Sequence, residues 1–318
     1  MKRLKIIFTT IILATLILGL FFRTFGNNRK YETTEFLFDT YCTITAYSKN
    51  AEDAVAAAFD EIARIHKLTD FFDENSDVTR INNSKAKEAI MVDPIVVEIL
   101  KTALKIGRES DGAFDVTLAP VSMLWKFDEG EGIPPSKEQI KAALAVVKNG
   151  GIVIDTEKKT VTKLSDETKI DLGGIAKGYA GDAAAKVLRE MGVKAAIVDL
   201  GGNISCIGKN PNSKDGKWRI GLQKPFSPTG EYSQTVEINE ASVVTSGTYQ
   251  RYFEYGGERY HHIIDPTTGQ PSKQNFNSVT IAGSSSMEAD CLATAAYVLG
   301  REKGRALAEK YGARIYFN

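Results

Sequence analysis

Residues 171–182 read Asp-Leu-Gly-Gly-Ile-Ala-Lys-Gly-Tyr-Ala-Gly-Asp, and no other stretch restricts the fold as much. The pattern predicts a strand before it and a helix opening from it. Glycine lets the backbone come close to a ligand, and free N–H groups at a helix start attract anions. Lys177 adds a point charge. The turn suits a phosphate-bearing ligand, and it equally suits a tight turn with a solvated lysine. It is not a dinucleotide fingerprint. The G-x-G-x-x-G spacing is missing, and the acid precedes the glycines instead of following by about 20 residues.

Strands are predicted over 36–47, 193–200, 218–223, 234–245, 278–282 and 314–317, with hairpins over 152–164 and 249–264. Helices are predicted over 51–71, 94–109, 136–148, 287–299 and 301–311, and from the glycine-rich turn to Met191. Asp93 followed by Pro94 marks one helix start. Strands outnumber helices and do not alternate regularly with them, which predicts an α+β fold. The chain has 318 residues, 43% apolar and 25% charged, an ordinary globular composition. Lys+Arg and Asp+Glu balance at 40 each, so no nucleic-acid partner is indicated. Three cysteines without a CxxC make no disulfide framework.

The N-terminus is a separate object. Lys2, Arg3 and Lys5 precede an apolar run over 6–22 that Arg23 ends. This is an export pattern, without a small-x-small cleavage site or a cysteine to carry a lipid. Residues 1–23 read as a membrane anchor in preference to a cleaved signal peptide, 24–34 as a polar tether, and 35–318 as the folded domain. The positive flank stays in the cytoplasm, which places the body on the extracytoplasmic side.

Several loops could carry chemistry. Asp290 and Thr294 are four apart on a predicted helix, so a carboxylate and a hydroxyl share one face. Such hard oxygen donors suit Mg²⁺, which takes one or two carboxylates together with substrate phosphates; a capping acid and a buried threonine would look the same. His261 and His262 end a strand, where neighbours face opposite ways, so at most one joins a given site. No Cys/His spacing fits zinc. Asp111–Thr117 and Val244–Tyr249 add loops rich in glycine, acid and hydroxyl. A phosphorylated ligand with Mg²⁺ is the economical reading of the set.

In order along the chain, these segments resemble the ApbE family of FAD:protein FMN transferases. The resemblance runs through Phe38-Asp39-Thr40, Ser76-Asp77-Val78-Thr79-Arg80-Ile81-Asn82 and Gly112-Ala113-Phe114-Asp115-Val116-Thr117. It continues through residues 171–182, Asp199-Leu200-Gly201-Gly202-Asn203 and Val244-Thr245-Ser246-Gly247. It closes with His262-Ile263-Ile264-Asp265-Pro266-x-Thr268-Gly269 and Ala289-Asp290-x-x-x-Thr294. It implies an ApbE-type, T-fold-like α+β domain with FAD between two lobes. It implies Mg²⁺-dependent transfer of FMN from FAD to a threonine or serine hydroxyl of an acceptor protein, releasing AMP. By the same resemblance, Mg²⁺ is held by the Gly174 carbonyl and the Asp290 and Thr294 side chains. FAD contacts Phe38, Phe72, Ala113, Phe114, Asp115, Asp171, Lys177 and Ile264, with His262 close to the flavin nucleotide. Lys177 would stabilise developing charge, and Asp171 and His262 are both candidates for the base. Acceptors would be exported or membrane redox proteins. Two departures stand out: the family often has Met-Gly-Thr in place of Phe38-Asp39-Thr40, and tyrosine in place of Phe72. Hydrolysis of FAD to FMN and AMP, or flavin binding without turnover, would use the same fold.

Overall fold

A computed structural model describes residues 29–127, 132–228 and 230–318. The predicted membrane anchor lies outside the described residues, and no described helix is long and apolar enough to cross a membrane. At the centre is a seven-stranded sheet whose spatial order is also its chain order. Its strands are Lys30–Leu37, Thr40–Tyr47, Ala196–Leu200, Asn203–Ile207, Ser242–Gly247, Ser278–Gly283 and Arg314–Phe317. Every neighbouring pair is antiparallel. Helices enter as insertions between strands, so the fold is α+β as the irregular alternation predicts.

Period-two patterning sorts the sheet's two faces. Val198, Val244 and Ile281 point into the main core, beneath the helices Ala51–Thr69, Ala176–Glu190 and Ser286–Lys310. Cys206, Val243 and Ala282 point the other way, where the hairpin Trp218–Gln223/Tyr232–Ile238 covers them with Trp218, Ile220, Leu222, Val236 and Ile238. A third cluster around Trp125, Ile140, Phe253 and Ile264 forms the core of a smaller outlying region.

Four local expectations change. The strand over 36–47 is a hairpin, because Phe38 and Asp39 both take left-handed backbone, at φ 53° and 56°, and reverse the chain. Residues 30–34, expected as tether, are the start of its outer strand. The strand over 234–245 is two strands in different sheets, Tyr232–Ile238 and Ser242–Gly247. No strand leads into residue 171, since the last one ends at Lys163. The Asn82 side chain replaces the missing ladder: Ile170 N donates to its Oδ1 at 2.7 Å, and its Nδ2 donates to the Ile170 carbonyl at 2.9 Å. The two predicted C-terminal helices hold: the span Ser286–Lys310 is two helical stretches separated at Gly300, which takes φ 80°.

The motif helix, Ala176–Glu190, lies directly on the first turns of this C-terminal helix. Gly178 makes that approach possible. A Cβ there would collide with the Ser286 carbonyl and stand 2.8 Å from both Met287 Cα and Asp290 Cβ. Backbone cannot yield as a side-chain tip can. Gly178→Ala is expected to cost about 1–3 kcal/mol through overpacking, and the melting temperature measures it. An unchanged melting temperature would contradict so tight a contact.

Candidate active site

Three motifs dock on one another to build the floor of the site. Asn82 grips Ile170, as above. The next amide, Asp171 N, donates to the Val116 carbonyl at 2.8 Å, which fixes the Asp115 loop beside the glycine-rich turn. Asp171 Oδ1 then accepts Gly173 N at 2.8 Å and closes the turn. Gly174 sits against Phe114: a Cβ would stand 3.0 Å from Phe114 Cε2 and 3.8 Å from Thr294 Oγ1. Glycine at this position keeps the turn within reach of both.

Asp290 comes to the same place from the C-terminal helix. It is 5% exposed, and its Oδ2 accepts Gly178 N at 2.9 Å. Burial raises its carboxyl above the ordinary range, while the Lys177 charge, the Asn203 amide and Gly178 N–H oppose that rise. Asn203 Nδ2 faces Asp290 yet is buried without completing a hydrogen bond. Thr294 lies one turn further on, its hydroxyl 3.1 Å from Ser246 Oγ. The predicted trio of Gly174, Asp290 and Thr294 is therefore brought together. Asp290 does not cap its helix, which is the role of Ser285.

These donors fit a hard cation. Among the described residues no three of His, Cys, Asp or Glu gather. The set here is one carboxylate, one hydroxyl and one backbone carbonyl, of the kind that leaves positions for substrate phosphates. A buried carboxylate held by a single amide N–H is costly without a cation. Lys177, in the first turn of the motif helix, bonds weakly to the Gly173 carbonyl at 3.4 Å. Its charge acts on both Asp290 and His262.

The two histidines take different partners, His261 as the last residue of the strand Glu258–His261 and His262 just beyond it. His261 turns inward, with Nε2 2.9 Å from the Ser272 carbonyl and its ring edge-on to Tyr297. His262 has other partners. Its Nδ1 lies 3.2 Å from the Arg251 carbonyl. A carbonyl only accepts, so Nδ1 carries the proton and Nε2 keeps its lone pair. Desolvation, with the Arg251 and Lys177 charges, holds the half-buried ring below the ordinary histidine range, so it is neutral near pH 7.

The two aromatic residues expected at the flavin ring both lie between secondary-structure elements. Phe38, at the hairpin turn, packs on His66 with ring centroids 4.7 Å apart. Phe72 is 75% exposed, which is unusual for so apolar a side chain. Its loop is nevertheless fixed: Ser76 Oγ donates to the Asp70 carbonyl at 2.5 Å and Thr79 Oγ1 to the Phe71 carbonyl at 3.1 Å. Asp39 lies 3.8 Å from Arg251 and so links the hairpin turn to the residue whose carbonyl bonds His262. Ala113 and Phe114 are buried in the main core, and Asp115 spends Oδ1 on Thr117 N and Oγ1, both at 2.7 Å. Ile264 is 5% exposed and packs in the third cluster, a core role that the resemblance did not suggest.

A chain-length comparison agrees with this architecture. Residues 38–317 match the model of the ApbE family. The chain belongs to the ApbE family. A protein of Klebsiella pneumoniae named FAD:protein FMN transferase is 33% identical over 280 residues, 88% of this chain and 85% of that one. One of Vibrio cholerae with the same name is 36% identical over 239 residues, 74% and 70% of the two chains. Among solved structures, the ApbE protein of Thermotoga maritima superposes with a TM-score of 0.82 at 32% identity, covering 91% of this chain and 94% of that one. The flavin transferase ApbE from Vibrio cholerae superposes at 0.79 with 28% identity, covering 91% and 93%.

Within this ApbE-family chain, sequence reasoning missed three contributors. Asn203 and Ser246 stand in segments already singled out, but nothing in their local pattern points at Asp290 or Thr294. Arg251 has no motif at all, because its contribution to His262 is a backbone carbonyl.

Proposed function

We propose that this protein transfers FMN from FAD to a threonine or serine hydroxyl of an acceptor protein, releasing AMP. The approach of Gly174, Asp290 and Thr294, with a Lys177 charge that acts on both Asp290 and His262, supports the reading. The names of its relatives support the same chemistry. Phosphoryl transfer needs positioning and charge neutralisation more than covalent help. Asp290, Thr294 and the Gly174 carbonyl would hold Mg²⁺, which when bound supplies Lewis-acid neutralisation on the pyrophosphate.

The protein's own groups do the rest. Lys177 supplies a second positive charge to the phosphates. His262 Nε2, neutral and unprotonated, takes the proton of the acceptor hydroxyl. The hydroxyl oxygen forms a bond to the FMN-side phosphorus, and the bond from that phosphorus to the bridging oxygen breaks. AMP leaves with that oxygen. Asp171 is the weaker base, because Oδ1 is already used in closing the turn. Phe38 and Phe72 offer flat apolar faces to the flavin ring. The basic and apolar segment over 2–22 would anchor the chain with this body outside the cell, where exported redox proteins are the acceptors.

The body mixed with FAD, Mg²⁺ and a candidate acceptor domain is expected to add the mass of FMN to the acceptor, read by mass spectrometry. AMP and free FMN without acceptor gain would replace transfer by hydrolysis. Unchanged FAD would leave only binding.

A further inference from the structure

Asp182, the last residue of the glycine-rich motif, reaches out of the motif helix to the start of the C-terminal helix. Its Oδ1 accepts Ser286 N at 2.8 Å, and its Oδ2 accepts Met287 N at 3.0 Å and Ser285 Oγ at 2.8 Å. Ser285 itself caps the helix, its Oγ accepting Glu288 N at 3.2 Å and its carbonyl Ala289 N at 3.1 Å. All four leading amides of the C-terminal helix are thus satisfied, two of them by a carboxylate more than a hundred residues earlier in the chain.

A local cap would have sufficed to end the helix. What the distant carboxylate adds is placement. One turn before Asp182, Gly178 N donates to Asp290 Oδ2. One turn after the amides that Asp182 holds comes Asp290 itself. The two helices are therefore joined at two points, each a turn apart on both, with the bare backbone of Gly178 between them. Sliding or tilting the C-terminal helix would move Asp290 and Thr294 away from Gly174 and break these contacts together. Ligand sets tolerate displacements of only about 0.5 Å.

We propose that Asp182 is a positioning residue for the transfer reaction: it sets where Asp290 and Thr294 stand against Gly174. The proposal rests on the metal-dependent reading above. In the full chain, Asp182→Asn keeps the side-chain volume but loses the charge and one of the two accepting oxygens. Outer-shell changes of this kind cost about 10–100-fold in metal affinity. Mn²⁺ serves as the probe, its free concentration followed by electron paramagnetic resonance without FAD or acceptor.

The expected result for Asp182→Asn is Mn²⁺ affinity lower by about tenfold or more. The Mg²⁺ concentration that half-saturates FMN transfer should rise in parallel, while FAD affinity in chelator stays at the wild-type value. Asp182→Glu, which keeps the charge, should recover part of the loss. A variant that melts lower yet binds Mn²⁺ and needs Mg²⁺ like wild type would overturn the proposal, leaving only a helix cap. If Asp182→Asn fails to fold, Asp182→Glu, which shifts the carboxylate by one methylene, takes its place; Mn²⁺ binding weaker than wild type supports the proposal and wild-type binding overturns it. Wild-type protein that binds Mn²⁺ but transfers no FMN would sink the functional reading instead, and the Mn²⁺ comparison would still decide the role of Asp182.

Discussion

Asp290→Asn is expected to lower FMN transfer by about 10²–10³-fold, the scale of removing one pre-aimed electrostatic partner from a buried site. The substitution changes little else. Asparagine has nearly the same shape, and its Oδ1 can still accept Gly178 N, the one hydrogen bond completed at the carboxylate. What is lost is a negative charge on a carboxyl that is 5% exposed and whose pKa burial raises. Removing an isolated buried charge also removes its desolvation cost, so the melting temperature should hold or rise. Loss of transfer with preserved stability and FAD binding is what a metal-holding acid produces. Transfer near the wild-type rate at ordinary Mg²⁺ would defeat the metal assignment.

The second large effect concerns His262. His262→Ala is expected to reduce transfer by about 10²–10⁴-fold, the span of positioned general bases, with FAD still bound. The pH profile separates base catalysis from packing. A base acts unprotonated, so transfer is lost as pH falls through the folded-state pKa of His262. Desolvation and the nearby cations place that pKa below the ordinary histidine value. Wild-type protein should therefore keep its chemical step at mildly acidic pH, where a solvent-exposed histidine would be protonated. The linked stability effect has a definite sign. His261, lowered to about 4 by burial, and His262 are both held neutral in the folded state. The unfolded chain binds their protons first, at about pH 6.5. The stability they contribute is complete above that pH and declines as pH falls toward the folded values. A profile breaking near pH 6.5 that His262→Gln leaves unchanged would remove His262 from the base role.

How much of this was readable in the residues depends on the range of the signal. The four-residue spacing of Asp290 and Thr294 is a local helical fact, and the structure keeps it. The expectation that His261 and His262 would not share a site agrees with their different partners, although His262 lies just past the end of the strand. The break at Gly300 was visible because glycine weakens a helix wherever it stands. The missing strand before residue 171 was not visible. Its backbone partner is the Asn82 side chain, 88 residues earlier, and propensity carries no record of such a partner. The reversal at Phe38 and Asp39 was hidden for a related reason. Neither is glycine, and non-glycine residues take left-handed backbone there only because strand pairing on both sides imposes it. The glycine-rich turn shows both limits. Its glycines were read as room for a ligand, whereas Gly178 makes room for another helix.

The chain-order sheet also has a consequence in time. Thr40–Tyr47 pairs with Ala196–Leu200, and the whole of residues 48–195 must be made between them. At 5–20 residues per second, a growing chain spends roughly seven to thirty seconds with its first hairpin lacking the neighbour on its inner edge. During that interval Cys42, Ile44 and Ala46, all fully covered in the finished protein, have the following helix Ala51–Thr69 but not the C-terminal helix to lie against. An unpaired strand edge with an apolar face is what chaperones hold and what aggregates nucleate on. The strand that ends this wait, Ala196–Leu200, also leads directly into the turn that presents Asn203. Pairing of the first hairpin's inner edge and placement of Asn203 at the future Asp290 site are one folding event.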